Sequence, residues 1–249
     1  MPLPSKLVVF GDSNIAAVRH AYDAGLLSFE GYEVEFWGAA GPEYRHIHYN
    51  NGGLRPMKPE AKKQVLMVNG HGREVLRPDD FDVFVFYGVR LRLAEFFSAY
   101  LDLLLDPERA VSEAALARAA AQFLQERRAV RMAAMMKADG AKRIVFVYAG
   151  FPCWGVVDHA EAGGLLESFP RVRDAGEALR LRLWSALTQA FDALGLELVR
   201  QPEETVVQGM FTDAAYAVAG AGESGDAIHK APGYPAKVLE KRFGAQKAP

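Results

Sequence analysis

A single cysteine, Cys153, is the only thiol in the 249 residues, so no internal disulfide can form and the fold must rest on its core. That pattern suits a reducing compartment. Long apolar runs are also missing. The run ahead of Gly11-Asp12 covers only Leu7–Phe10, too short for the core of a signal peptide, and no stretch is long enough to span a membrane. Neither sign of charge dominates: 29 Lys and Arg stand against 31 Asp and Glu, a net charge of −2. Without a basic excess or a run of one sign there is no footprint for nucleic acid or an anionic membrane surface. Metal ligands are sparse too. His46-Ile-His48 could place two imidazoles on one face of an extended segment, but zinc takes three or four protein ligands and no cysteine cluster completes the set. No metal and no cofactor is expected, and cytoplasmic residence is the default.

What is present is a core: half of the residues are hydrophobic. Leu7–Phe10 reads as a buried strand, and from Asn14 to about Ala24 the residues Ile15, Val18 and Tyr22 fall on one helical face. Glu33–Trp37 alternates as a second strand and runs into the small-residue loop Gly38-Ala-Ala-Gly41-Pro42. Tyr44 to Lys63 reads as an irregular insertion at the rim of a site, where Tyr44, Arg45, Tyr49 and Asn50 could meet a sugar or ester. Gln64–Val68 and Arg73–Leu76 read as a β-hairpin around Asn69-Gly70, a type I′ turn signal, with His71 solvated in the turn.

Phe81–Gly88 is apolar on both faces, as a central parallel strand should be. Helical sequence runs from Ala94 to Ala138 with a break near Asp106-Pro107; its alanine-rich part is either a core helix or a dimer face. Ile144–Tyr148 is the next strand. Phe151-Pro-Cys153-Trp154 follows it, either shaping a pocket or packing in the core. Ala160–Arg173 reads as loop, then a helix extends to about Leu194, a final strand covers Leu196–Val199, and a last helix runs from Pro232 to about Phe243. Strands alternating with helices predict an α/β fold: a three-layer, doubly wound, mostly parallel sheet with a small accessory hairpin. No repeat or linker divides the chain, so residues 1–249 read as one domain.

The chemistry is concentrated at the two ends. Gly11-Asp12-Ser13-Asn14 closes the first strand and opens the first helix, which puts a serine hydroxyl above the carboxyl ends of the sheet beside unpaired helical N–H groups. Such a serine either caps its helix or, given a base, acts as a nucleophile. Near the C-terminus stands Asp226-Ala-Ile-His229. The two motifs together resemble the SGNH/GDSL hydrolase superfamily, in which a C-terminal Asp-x-x-His completes a triad. The resemblance implies the flavodoxin-like fold of that superfamily, Ser13 as nucleophile, His229 as general base and acid, and Asp226 as the orienting carboxylate.

It also implies an oxyanion hole built from the serine N–H, a glycine N–H and an asparagine side chain. Gly41 fits the glycine position, with Gly38 as fallback. After the strong strand, however, the expected Gly-x-Asn is replaced by Gly88-Val89-Arg90. Arg90 either substitutes for the missing amide donor, binds an anionic group of the substrate, or forms a strand-end salt bridge. Asp12, Asn14 and Gly88 flank these positions and complete the set of oxyanion- and substrate-binding candidates. The pattern resembles bacterial glycan-associated members of the superfamily more than lipases. It implies a serine esterase removing a small, acetyl-like acyl group from a carbohydrate or other metabolite, with a small-molecule or glycan ester as partner. An acyltransferase on the same scaffold and a non-catalytic glycan- or anion-binding protein are the alternatives. Cys153 has no base beside it and is not read as a nucleophile.

Overall fold

The computed structural model describes residues 4–156 and 160–244, with side chains from 164 onward in the second segment. Strands β1 (Ser5–Gly11), β2 (Tyr32–Gly38), β3 (Ile47–Tyr49), β4 (Leu54–Pro56), β5 (Val83–Tyr87), β6 (Arg143–Val147), β7 (Glu197–Val199), β8 (Val206–Val207) and β9 (Phe211–Thr212) occur in that order. The helices are α1 (Ile15–Asp23), α2 (Pro59–Asn69), α3 (Leu93–Leu104), α4 (Glu113–Glu126), α5 (Arg128–Ala138), α6 (Ala160–Ser168), α7 (Glu177–Asp192), α8 (Ala221–Ser224) and α9 (Gly233–Phe243).

Five strands form the main sheet in the order β2-β1-β5-β6-β7, and every pairing is parallel. Parallel strands need crossover helices, which cover both faces and bury every side chain of β5. Alternation along β1 sends Val8 and Phe10 into one apolar layer with residues of α2, α3, α4, α5 and α7. Leu7 and Val9 point into the other, with α1 and α9. This is the expected three-layer, doubly wound α/β architecture. The strand order reverses between β1 and β5, and at such a switch point the loops beyond the carboxyl ends separate into a crevice. Ser13 follows β1 and Arg90 follows β5.

Several local expectations are corrected. Gln64–Leu76 is not a hairpin. Pro59 opens helix α2, Ala61, Val65 and Asn69 share its buried face, and Gly70 closes it with φ +69°. Asn-Gly here supplies a left-handed helix cap rather than a hairpin turn. The small antiparallel hairpin is instead β3–β4, inside the segment read as irregular, preceded by a 3-10 turn over Gly41–His46. Ala160–Arg173, read as loop, contains α6 and a 3-10 turn over Pro170–Asp174. The strand at Glu197–Val199 is the last of the main sheet, but the short β8–β9 pair follows it.

Candidate active site

The turn after β1 does not use Ser13 as a helix cap. Asn14 occupies that position, and its own side chain turns back to Asp12. Ser13 Oγ lies 2.7 Å from His229 Nε2. The other ring nitrogen, Nδ1, lies 2.8 Å from Asp226 Oδ2. A carboxylate can only accept, so the ring proton belongs on Nδ1 and Nε2 is left to accept from the serine hydroxyl.

The i, i+3 spacing of Asp226 and His229 works because the same carboxylate holds the turn. Its Oδ1 accepts from the backbone N–H of Ile228 at 3.1 Å and of His229 at 3.0 Å. Burial raises the Asp226 pKa, but the His229 N–H, the His229 ring and the Ile228 N–H outweigh it and hold the group below its ordinary range.

Asp12 is a clamp rather than a reactant. It is buried, with Oδ1 accepting from the Asn14 N–H and amide at 3.0 and 2.8 Å and Oδ2 accepting from the Arg90 N–H at 3.0 Å. It thereby ties the serine turn to the loop after β5. That loop is strained: Gly88, Val89 and Arg90 all have positive φ, at +71°, +46° and +54°. For β-branched Val89 this conformation costs about 1–3 kcal/mol, and such strain persists where the surroundings enforce it. A Cβ on Gly88 would come within 3.1 Å of both Asn14 and Asp12, so the glycine also permits the close approach of the two loops.

The backbone N–H groups of Ser13 and Gly41 have no acceptor among the described residues. The Ser13 N–H belongs to the serine's own turn, and Gly41 to the loop after the neighbouring strand β2. Gly38, the fallback, sits opposite Gly11 in the β1–β2 ladder. The Arg90 guanidinium donates to the Gly41 carbonyl, and its carbon is 5.7 Å from the Tyr44 ring centroid. It makes no salt bridge among the described residues.

The remaining candidates make no hydrogen bond to Ser13, Asp226 or His229 among the described residues. His48 lies opposite Arg55 in the β3–β4 hairpin, and no group of three or more metal-capable side chains occurs among the described residues. Tyr49 donates to Asp139 on α5's far end. Tyr44 is buried, stacking near Phe10. His71 is exposed. Phe151 packs on Phe97, and both it and Cys153 are fully buried in the core, while Trp154 is partly exposed. Burial pushes the Cys153 thiol up, away from reactivity. A hollow of about 590 Å³ opens between α7, β7 and α9, but its lining, which includes Thr188, Arg200 and Lys241, contains no member of the serine–histidine–aspartate set.

Sequence reasoning missed Lys230. It is buried, donates at 2.6 Å to the Ile228 carbonyl, and holds the back of the turn that carries His229. Burial pushes its ammonium down to about 8 despite the raising effect of Cys153 and Asp226. Only its adjacency to His229 could have suggested it; a lysine by itself reads as surface.

No protein-family model matches this chain, and no curated protein matches it. Among solved structures it is similar to an extracellular lipase from Streptomyces rimosus, with 12% identity, 96% of each chain covered and a TM-score of 0.40. No helix among the described residues is long and apolar enough to cross a membrane.

Proposed function

We propose that the chain is a serine esterase of the SGNH type that removes a small, acetyl-like acyl group through an acyl-enzyme. The observation that carries this reading is the relay Ser13–His229–Asp226, with its 2.7 and 2.8 Å hydrogen bonds. A serine hydroxyl alone is a weak nucleophile; a neutral imidazole oriented by a carboxylate is what activates it.

In the acylation step Ser13 Oγ attacks the ester carbonyl while its proton passes to His229 Nε2. The negative charge that develops on the carbonyl oxygen meets the Ser13 and Gly41 N–H groups. Collapse breaks the carbon–oxygen bond to the alcohol, and His229 returns the proton to that leaving oxygen. Water then repeats the sequence on the acyl-serine, giving the free acid and restoring Ser13. Asp226 keeps its charge throughout and stabilises the imidazolium. The part-exposed setting of His229 and Asp226, whose side chains retain 39% and 30% of their accessible surface, fits an open cleft that admits water and a bulky alcohol. A carbohydrate ester carries such an alcohol.

With p-nitrophenyl acetate in excess, rapid mixing should show a burst of p-nitrophenol that approaches one equivalent per chain before the slower steady state. Ser13→Ala should abolish it. A burst that survives in Ser13→Ala would assign the nucleophile elsewhere.

A further inference from the structure

The sheet order sets two loops on either side of Ser13: the one after β2, which holds Gly41, and the one after β5, which holds Arg90. The Arg90 side chain spans between them, because its guanidinium donates to the Gly41 carbonyl. It therefore crosses the carboxyl end of β1, where the serine turn begins. This explains why the residue is not a short amide. An asparagine would present its donor near its own loop, whereas the longer stem of arginine carries a fixed positive charge to the far wall of the cleft.

That charge has no carboxylate partner among the described residues. Two carboxylates stand on the neighbouring loops, Asp12 and Glu43. Asp12 is spent on three N–H donors, none of them on the guanidinium. Glu43 stands beside Gly41 and makes no salt bridge among the described residues. The neighbours are of the same sign. The guanidinium carbon of Arg128 lies 5.1 Å from the same Tyr44 ring centroid, and among the described residues it donates to the carbonyls of Tyr44, Arg45 and Ile47. Burial lowers the Arg128 pKa, Tyr44 raises it, and Arg90, Arg131 and Arg45 lower it again. Elsewhere in the molecule Arg73, Arg143, Arg171 and Arg180 each hold a carboxylate. In a chain with more acidic than basic residues, an arginine without a carboxylate partner among the described residues, reaching from the loop after β5 to the loop after β2, is a recognition feature.

We infer that the remaining guanidinium donors of Arg90 form a subsite for a carboxylate or phosphate carried by the substrate, so that the enzyme prefers anionic esters. The inference rests on the esterase reading for its placement and deepens it by naming the substrate class. Arg90 is a specificity residue in this account, and the oxyanion is left to the backbone N–H groups.

The test compares matched esters on wild type, Arg90→Gln and Arg90→Lys. Phenyl butyrate is paired with phenyl hemisuccinate, and phenyl acetate with its 4-carboxy and 4-phosphate derivatives, which separates an acyl-side from an alcohol-side anion and carboxylate from phosphate. In Arg90→Gln, kcat/KM for at least one anionic ester should fall about tenfold or more, as expected for loss of a charge-assisted hydrogen bond. The neutral partner should fall by clearly less, since loss of the Gly41 tether acts on every ester alike, so the anionic-to-neutral preference itself should shrink several-fold. Arg90→Lys should fall between, since it keeps the charge without the fork. The wild-type preference should shrink as salt is added. Equal losses on neutral and anionic esters would place Arg90 in the oxyanion hole and overturn the inference; so would no loss on either.

If Arg90→Gln fails to fold, the salt dependence of the wild-type preference and the Arg90→Lys ratio decide the matter alone. If wild type cleaves no ester, the esterase reading fails separately. The subsite is then tested by calorimetric binding of succinate and inorganic phosphate. Binding that weakens about tenfold in Arg90→Gln or Arg90→Lys supports it, and no binding to wild type overturns it.

Discussion

Asp226 does two jobs with its two oxygens. One orients the imidazole, and the other fixes the backbone of the turn through the N–H groups of Ile228 and His229. Asp226→Asn keeps the size but offers an amide in place of an acceptor, which selects the wrong imidazole tautomer. Steady-state turnover should drop roughly 10³–10⁴-fold with little change in KM. A loss under tenfold would show that the carboxylate is only a turn cap. Because the native carboxyl is held below its ordinary value of 3.8, Asp226 stays ionised through neutral and mildly acid pH. Activity lost between about pH 5 and 7 therefore belongs to another group.

At this scale the residues that the hydrogen bonds join, Ser13, His229 and Asp226, were legible in the sequence because both motifs are short and local: Gly-Asp-Ser at a strand end, Asp-x-x-His in one turn. The clamp role of Asp12 was not legible, since it depends on Arg90, 78 positions away. Nor was the support that Lys230 gives from beneath.

Among the elements, α2 teaches the most. Its stretch contains Asn69-Gly70 between two apolar segments, which locally spells a hairpin. Tertiary packing decides otherwise: Ala61 and Val65 bury their face against the sheet, and α2 lies against β2. Asn69, nearly inaccessible, then becomes an anchor. Its Oδ1 accepts from the N–H of His71 at 3.0 Å and of Arg73 at 2.8 Å, and its amide donates to Glu35. Asn69→Ala would strand those groups. It should lower the unfolding free energy by about 1–3 kcal/mol in a urea titration, without shifting the Ser13–His229 geometry. A neutral result would mean that water replaces the amide. The adjacent misreading, Ala160–Arg173 as loop, has a plainer cause: Gly163-Gly164 lowers helix propensity in the middle of α6.

Over the whole molecule the long buried strands and the parallel alternation were readable, because a run such as Val83–Tyr87 has no other stable use. The strand order was not, since pairing partners are far apart in sequence. Ion pairs that knit distant segments behave the same way. Glu197 of β7 accepts from Arg143 of β6 at 2.8 and 3.0 Å and from Arg242 of α9, and Arg171 holds Asp102 at 2.8 and 3.0 Å. The Arg143 hydrogen bonds chiefly hold Glu197 below its ordinary 4.5, and Arg171 does the same for Asp102 below 3.8. As pH falls the unfolded chain takes up these protons first. The stabilisation is therefore complete above those ordinary values and is lost as pH drops through the lower, folded ones. Thermal melts should show a plateau from neutral pH to about 5 and a decline below about 4. Glu197→Gln should flatten part of that decline, with each partly exposed pair contributing only about 0–1 kcal/mol. An unchanged acid limb in Glu197→Gln would remove this pair from the account.

The most direct measurement of the central claim is intact mass after treatment with a fluorophosphonate, on wild type, Ser13→Ala and His229→Ala. The account predicts a single adduct on wild type, mapping to Ser13, no adduct on Ser13→Ala, and labelling of His229→Ala slowed to near the limit of detection. Folded wild type that stays unmodified, or His229→Ala that labels as fast as wild type, would contradict an activated serine at the carboxyl end of β1.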